Sequence, residues 1–279
     1  MERTPFELAD APYGPIRGDV YLPGNSRGIP VVIACHGFKG FKDWGFWPET
    51  ARRFCEAGIG CVVFNFSGSG IGDDPQQFTE LDRFEADTIG RELEDLGCVL
   101  DAVSHRSVPV GGVDVRRLGL LGHSRGGGVA LIRTGRDPRI RATATWAAVA
   151  SFLRVDEEAR TAWREKGYTE VVNQRTGQVF RIGTTYLDDL EAHAEAYDPL
   201  LAVSRFKVPL LLVHGTQDAA VPVEDARLLA QHAAPGTCTQ ALIQGAGHTF
   251  GAAHPFQEST PHLDQVLTRT TAWFSETLS

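Results

Sequence analysis

The chain has 279 residues, 42% of them hydrophobic and 22% charged, a composition that supports a packed core and excludes widespread disorder. Its length suits one compact α/β domain carrying a single insertion. A formal net charge of −8, with no basic stripe along the chain, speaks against nucleic acid and anionic membrane as partners.

The first ten residues, M-E-R-T-P-F-E-L-A-D, lack the basic start and apolar core of an export signal, and no apolar run reaches membrane-spanning length. A cytoplasmic location is therefore expected. Five scattered cysteines without C-x-x-C spacing read as reduced core residues, Cys35 beside His36 included. Ile16 to Leu22 alternates as an edge strand would, with an earlier strand around Phe6 to Leu8, so an antiparallel margin is expected. Pro30 to Ala34 and Gly60 to Phe66 are continuous β-branched and apolar runs, the pattern of parallel strands covered on both faces. The first ends in Cys35-His36-Gly37-Phe38-Lys39-Gly40, at the strand end where open α/β sheets place ligands. The second runs into Ser67-Gly68-Ser69-Gly70-Ile71-Gly72, which has neither a Walker lysine nor a G-x-G-x-x-G opening into a helix and so does not read as a nucleotide cradle.

Trp47 to Ala57 reads as a helix stopped by Gly58, and Phe84 to Val103 as a longer one, with Ile89, Leu93, Leu96, Leu100 and Val103 at three- and four-residue spacing. Leu118 to Leu121 is a short strand followed by Gly122-His123-Ser124-Arg125-Gly126 and a helical segment from Gly127 to Ile132. A serine in such a strand-turn-helix junction presents its hydroxyl outward, and the next amide opens a helix. Further strands are read at Ala142 to Val149, Val208 to Val213 and Thr237 to Ile243, and a closing helix at Val266 to Leu278. The alternation of strand and helix predicts a mostly parallel sheet with right-handed crossovers. Between Ser151 and Arg205 it stops: Asp156 to Lys166 looks helical, Thr169 to Ile182 a hairpin turning near Arg175-Thr176-Gly177, and Tyr186 to Ala196 an acidic helix. Residues 151–205 therefore read as an inserted cap on a core made of residues 1–150 and 206–279.

A serine hydroxyl is a poor nucleophile unless an imidazole takes its proton and a carboxylate orients that imidazole. Asp218 lies in His214-Gly215-Thr216-Gln217-Asp218-Ala219-Ala220-Val221-Pro222, a loop leaving one strand. His248 lies in Gly245-Ala246-Gly247-His248-Thr249-Phe250, a loop leaving the last. With Ser124 they fall at one sheet edge in the order Ser, Asp, His. His36, His214 and His254 are rival imidazoles and Asp198 and Asp225 rival acids, while His123 reads as a packed elbow residue.

With the H-G-F loop, the G-H-S-R-G-G elbow, the H-G-x-x-D-x-x-V-P aspartate loop and the G-x-G-H histidine loop together, the chain resembles the α/β-hydrolases. More narrowly it is similar to the prolyl-oligopeptidase-like and dienelactone-hydrolase-like esterases. The resemblance implies an α/β class protein with the α/β-hydrolase fold, a mostly parallel central sheet flanked by helices and a small inserted cap. It implies a serine hydrolase with Ser124 as nucleophile, His248 as general base and acid, Asp218 as orienting acid, and the amides of Phe38 and Arg125 as oxyanion hole. Dienelactone hydrolases proper carry cysteine at the elbow and dehalogenases aspartate, and an H-G-G-G loop is absent. The polar insertion is unlike an apolar lipase lid and suits short soluble acyl groups. It is similar to the cap of cinnamoyl and feruloyl esterases, where Trp163, Tyr168, Tyr186 and Asp188 would meet a phenolic hydroxyl; ordinary packing of a small subdomain accounts for them equally well. The expected substrate is a small or aryl ester, taken without cofactor or metal by a protein that leaves room for a homodimer. A peptidase would need an acidic pair for a free amino terminus, for which Asp188-Asp189 is the one candidate, and a non-catalytic binder would lack a triad member, whereas none is missing.

Overall fold

A computed structural model describes the whole chain, Met1–Ser279. In chain order the elements are β1 (Glu2–Leu8), β2 (Ile16–Leu22), β3 (Ile29–Cys35), α1 (Trp47–Glu56), β4 (Gly60–Phe64), α2 (Leu81–Glu85), α3 (Ile89–Ser104), β5 (Val113–His123), α4 (Arg125–Thr134) and β6 (Ile140–Trp146). There follow α5 (Glu157–Lys166), β7 (Tyr168–Val172), β8 (Val179–Gly183), α6 (Thr185–Ala192), α7 (Pro199–Ser204), β9 (Leu210–Gly215), α8 (Val223–His232), β10 (Cys238–Ile243) and α9 (Pro261–Thr277). Eight strands form one sheet in the order β1-β2-β4-β3-β5-β6-β9-β10. The expected antiparallel margin is β1 and β2, and every pairing from β4 to β10 is parallel. No helix is long and apolar enough to cross a membrane.

The unbroken apolar runs follow from burial on both faces. Val31 and Ile33 of β3 join Leu96 and Leu100 of α3 on one side. Val32 and Ala34, pointing the other way, join Phe54 of α1 and Phe274 of α9 on the second. Strand alternation sends successive side chains to opposite faces, so a sheet covered twice needs apolar residues at every position. Each fully buried aliphatic side chain contributes about 2 kcal/mol to that core. Burial also drives the Cys35 thiol far up, which keeps it protonated and inert.

Several boundaries differ from the expected ones. The helix expected from Phe84 to Val103 is two, because Thr88 leaves the helix and its Oγ1 accepts the Arg91 amide at 3.2 Å, capping α3. The strand expected to reach Val149 stops at Trp146: Ala147 lies at φ 50 and turns the chain out of the sheet. The acidic helix ends at Ala192 rather than Ala196, and the last helix starts at Pro261, capped by Thr260. α8 was not anticipated; Pro222 precedes it, and Glu224 and Asp225 supply the acids of its first turn.

From α5 to α7 the chain leaves the main sheet. β7 and β8 pair antiparallel with each other alone. Phe180 of β8 stacks on Phe84, ring centroids 4.6 Å apart, and with Phe41 and Phe78 forms a small aromatic core that seats the hairpin on the loops at the carboxyl end of the sheet.

Candidate active site

Ser124 joins β5 to α4 at φ 57 and ψ −122, a conformation that L-residues rarely adopt. Neighbouring glycines allow it. A Cβ on Gly126 would lie 2.2 Å from the His36 carbonyl oxygen, and one on Gly37 would lie 2.9 Å from Ser124 Cβ. The elbow and the loop after β3 can therefore touch only through hydrogen atoms.

The structure brings Ser124, Asp218 and His248 together. His248 Nε2 is 3.0 Å from Ser124 Oγ, and its Nδ1 donates to Asp218 Oδ2 at 2.8 Å. Asp218 Oδ1 accepts the amides of Ala220 and Val221, both at 2.9 Å. Burial alone would push this carboxyl up, but hydrogen bonds from His214, His248 and the Val221 amide outweigh it and hold Asp218 well below the usual carboxylate range. An ionised Asp218 keeps the proton of His248 on Nδ1 and leaves Nε2 free to accept from the serine hydroxyl.

The rival groups are occupied elsewhere. His36 accepts the Phe66 amide at 3.2 Å and donates to the Gly37 carbonyl at 2.9 Å; burial lowers it to about 4. His214 Nε2 donates to the Val221 carbonyl at 2.9 Å and also lies 3.4 Å from Asp218 Oδ2, so it braces the aspartate loop. His254 accepts the Gly45 amide at 3.1 Å. Asp198 caps α7, and Asp225 accepts the Ala150 amide at 2.6 Å and pairs with Arg154. His123 does more than pack: its Nε2–H donates to the His248 carbonyl at 3.0 Å, strapping the histidine loop to the elbow. Burial, then the neighbouring His248, lowers His123 to about 3, so it stays neutral.

Arg125 is the first residue of α4, so its amide has no partner within the helix. The Phe38 amide, in the loop that meets Ser124, makes no backbone hydrogen bond. Their side chains pack together, the Arg125 guanidinium 4.7 Å from the Phe38 ring centroid. Behind them Arg125 pairs with Asp87 at 2.7 Å and Glu92 at 2.5 Å. Burial pushes both carboxyls up and the guanidinium pulls them back; the balance lies upward for each. Nearby Asp95 accepts the Ser67 amide at 2.7 Å and is pushed up by burial to about 7. Asp87, Glu92 and Asp95 carried no sequence signal beyond being acids among the apolar positions of a helix.

A cavity of about 510 Å³ opens beside Ser124 and His248, walled by Phe38, Phe152, Trp163 and Tyr186. A second, of about 140 Å³, also reaches Ser124 and His248 and is bordered by Trp44, Phe46, Trp47 and Thr249. Trp163 and Tyr186 lie parallel, centroids 6.1 Å apart; the indole N–H donates to the Ile182 carbonyl at 2.9 Å. Burial pushes the Tyr186 phenol up to about 12. Tyr168 and Asp188, expected beside them, line neither cavity. Thr169 and Val171 of β7 face the larger one, so Tyr168 points outward, its ring flanked by Lys166 at 4.4 Å and Arg181 at 4.2 Å. Asp188 stands two residues beyond Tyr186 on α6, on another helix face, and pairs with Arg164 at 2.8 Å. No group of three or more His, Cys, Asp or Glu is arranged to hold a metal ion.

The model of the prolyl oligopeptidase family matches residues 46–279. The chain belongs to that family. It is accordingly a hydrolase, and its fold is that of the α/β-hydrolase superfamily. In sequence it is 25% identical over 249 residues to a 31.7 kDa protein of the traX-finO intergenic region of Escherichia coli, covering 77% of this chain and 82% of that one. In fold it is similar to Est1E of Butyrivibrio proteoclasticus, solved with ferulic acid bound, at a TM-score of 0.75 and 19% identity over 98% and 99% of the two chains. A puromycin-hydrolyzing peptidase of Mycobacterium tuberculosis superposes with a TM-score of 0.70 and 20% identity, covering 99% of this chain and 39% of that one.

Proposed function

We propose that this family member is a serine carboxylesterase acting on small or aryl carboxylic esters through an acyl-enzyme. One observation carries the reading: a single imidazole within hydrogen-bond reach of both a strained serine, at 3.0 Å, and an ionised carboxylate, at 2.8 Å. Ser124 Oγ attacks the acyl carbon while His248 Nε2 takes its proton, and the imidazolium is stabilised by Asp218. The amides of Arg125 and Phe38 receive the developing oxyanion, each contributing about 3 kcal/mol. His248 then protonates the leaving alcohol, and water, deprotonated by the same imidazole, releases the acid. The aromatic walls of the larger cavity suit an aryl group, and a cinnamoyl or feruloyl ester is the narrower form of the same proposal; Est1E, with its bound ferulic acid, supports that form by fold likeness.

An aminopeptidase is the weaker reading. The cavity has no Asp or Glu on its walls to receive a free ammonium. Asp189 instead accepts the Gly90 amide at 2.8 Å. Hydrolysis of p-nitrophenyl butyrate and of methyl ferulate by the purified protein, lost in Ser124→Ala with the fold retained, is the expected result. Cleavage of aminoacyl-naphthylamides with negligible ester turnover would overturn it in favour of the peptidase.

A further inference from the structure

Three cations stand on the wall of the larger cavity, Lys39, Arg125 and Arg154, and no carboxylate stands there with them. Two are already neutralised from behind: Arg125 by Asp87 and Glu92, and Arg154 by Asp225. Lys39 is different. Its ammonium donates to the Val172 carbonyl of the cap hairpin at 3.1 Å, a neutral acceptor, and joins no ion pair. Burial pulls the ammonium down from its ordinary value, with no carboxylate acting to restore it. The backbone of Lys39 lies at φ 58, where glycine or asparagine would be at ease. A half-buried, uncompensated charge on a strained residue follows directly after Phe38, whose amide makes no backbone hydrogen bond. It borders both cavities that meet at Ser124. Costs of this kind concentrate where a site needs them.

The geometry points to Lys39 as a specificity-determining residue that receives a carboxylate of the substrate, which makes the preferred substrates esters carrying a free carboxylate. The inference rests on the esterase reading and narrows its substrate class. Val172 belongs to the hairpin whose Val171 and Thr169 face the larger cavity, so the carboxylate belongs to whichever half of the ester occupies that cavity. The protein's net charge of −8 would repel such substrates at long range, so a local cation beside the serine is what such a preference requires. Because Lys39 is partly open to solvent, added salt should weaken the preference.

The test uses two matched pairs of esters. One places the charge on the acyl side, 4-nitrophenyl hydrogen glutarate against 4-nitrophenyl methyl glutarate. The other places it on the alcohol side, 4-acetoxybenzoate against its methyl ester. In the wild-type enzyme one charged member should exceed its neutral partner in kcat/KM. K39M should cut that selectivity ratio about tenfold, chiefly through KM, as loss of a charge-assisted hydrogen bond would. K39R should retain most of it, and 0.5 M salt, at roughly half a nanometre of screening length, should compress it. K39G, which relieves the positive φ, keeps the fold at least as stable and must lose the ratio with K39M. No charge preference in either pair, or a ratio that K39M and K39G leave intact, overturns the role of Lys39 while the neutral esters still turn over. Failure to hydrolyse any of the four would instead strike the esterase reading itself and this inference with it.

Discussion

Ser124 holds φ 57 and ψ −122, and a non-glycine residue in such a region costs on the order of 1–3 kcal/mol. Two variants that both lack the hydroxyl separate strain from chemistry. S124G should be more stable than S124A by about 1 kcal/mol in denaturant unfolding, because only glycine accepts the conformation freely. Equal stability would mean that the elbow is not strained. The three proposed triad residues were legible in the sequence because each sits in a short local motif after a strand. The partners of Arg125 were not: Asp87 and Glu92 come from another part of the chain and are revealed only by their ion pairs at 2.7 and 2.5 Å. The misplacement of Tyr168 and Asp188 has the same origin, since which face of a hairpin or helix meets a cavity depends on what that element packs against.

Among the elements, α4 is the one that most tightly constrains the site. It packs against the loop after β3 with no room at Gly126, where a Cβ would stand 2.2 Å from the His36 carbonyl. G126A must therefore push that loop, and with it Phe38, away from Ser124. A loss of 1–3 kcal/mol in stability, of the order seen when a packed interior is overfilled, should accompany a fall in kcat that exceeds any change in KM. Normal kcat in G126A would show that the Phe38 loop need not sit where it does. The parallel strands were readable because burial on both faces leaves an unbroken apolar run. The break between α2 and α3 was not, because the helical spacing of apolar residues continues through it, and only the Thr88 cap and the inward turn of Asp87 interrupt the helix.

At the scale of the whole molecule, the core behind the elbow buries Asp87 and Glu92 on the Arg125 guanidinium and Asp95 on the Ser67 amide, and one carboxylate oxygen of each lacks a hydrogen-bond partner. Stability should then depend on pH with a definite sign. The folded-state pKa of Asp95, about 7, stands above its ordinary value of 3.8. Its contribution is therefore complete below that ordinary value and is lost as pH rises through about 7. D95N lacks this dependence, so the melting temperature of D95N relative to wild type should climb as pH is raised across that window; a constant difference would mean that Asp95 titrates normally. Folding places these groups, the larger cavity and the loops of Asp218 and His248 around one serine. The central claim is that Ser124 is a nucleophile activated by His248 and Asp218, and the most direct measurement is covalent labelling with a fluorophosphonate followed by peptide mass spectrometry. A single adduct on Ser124, formed at least a hundredfold more slowly in H248A, is the predicted result. An unlabelled protein, an adduct on another residue, or an H248A variant labelled at the wild-type rate would contradict it.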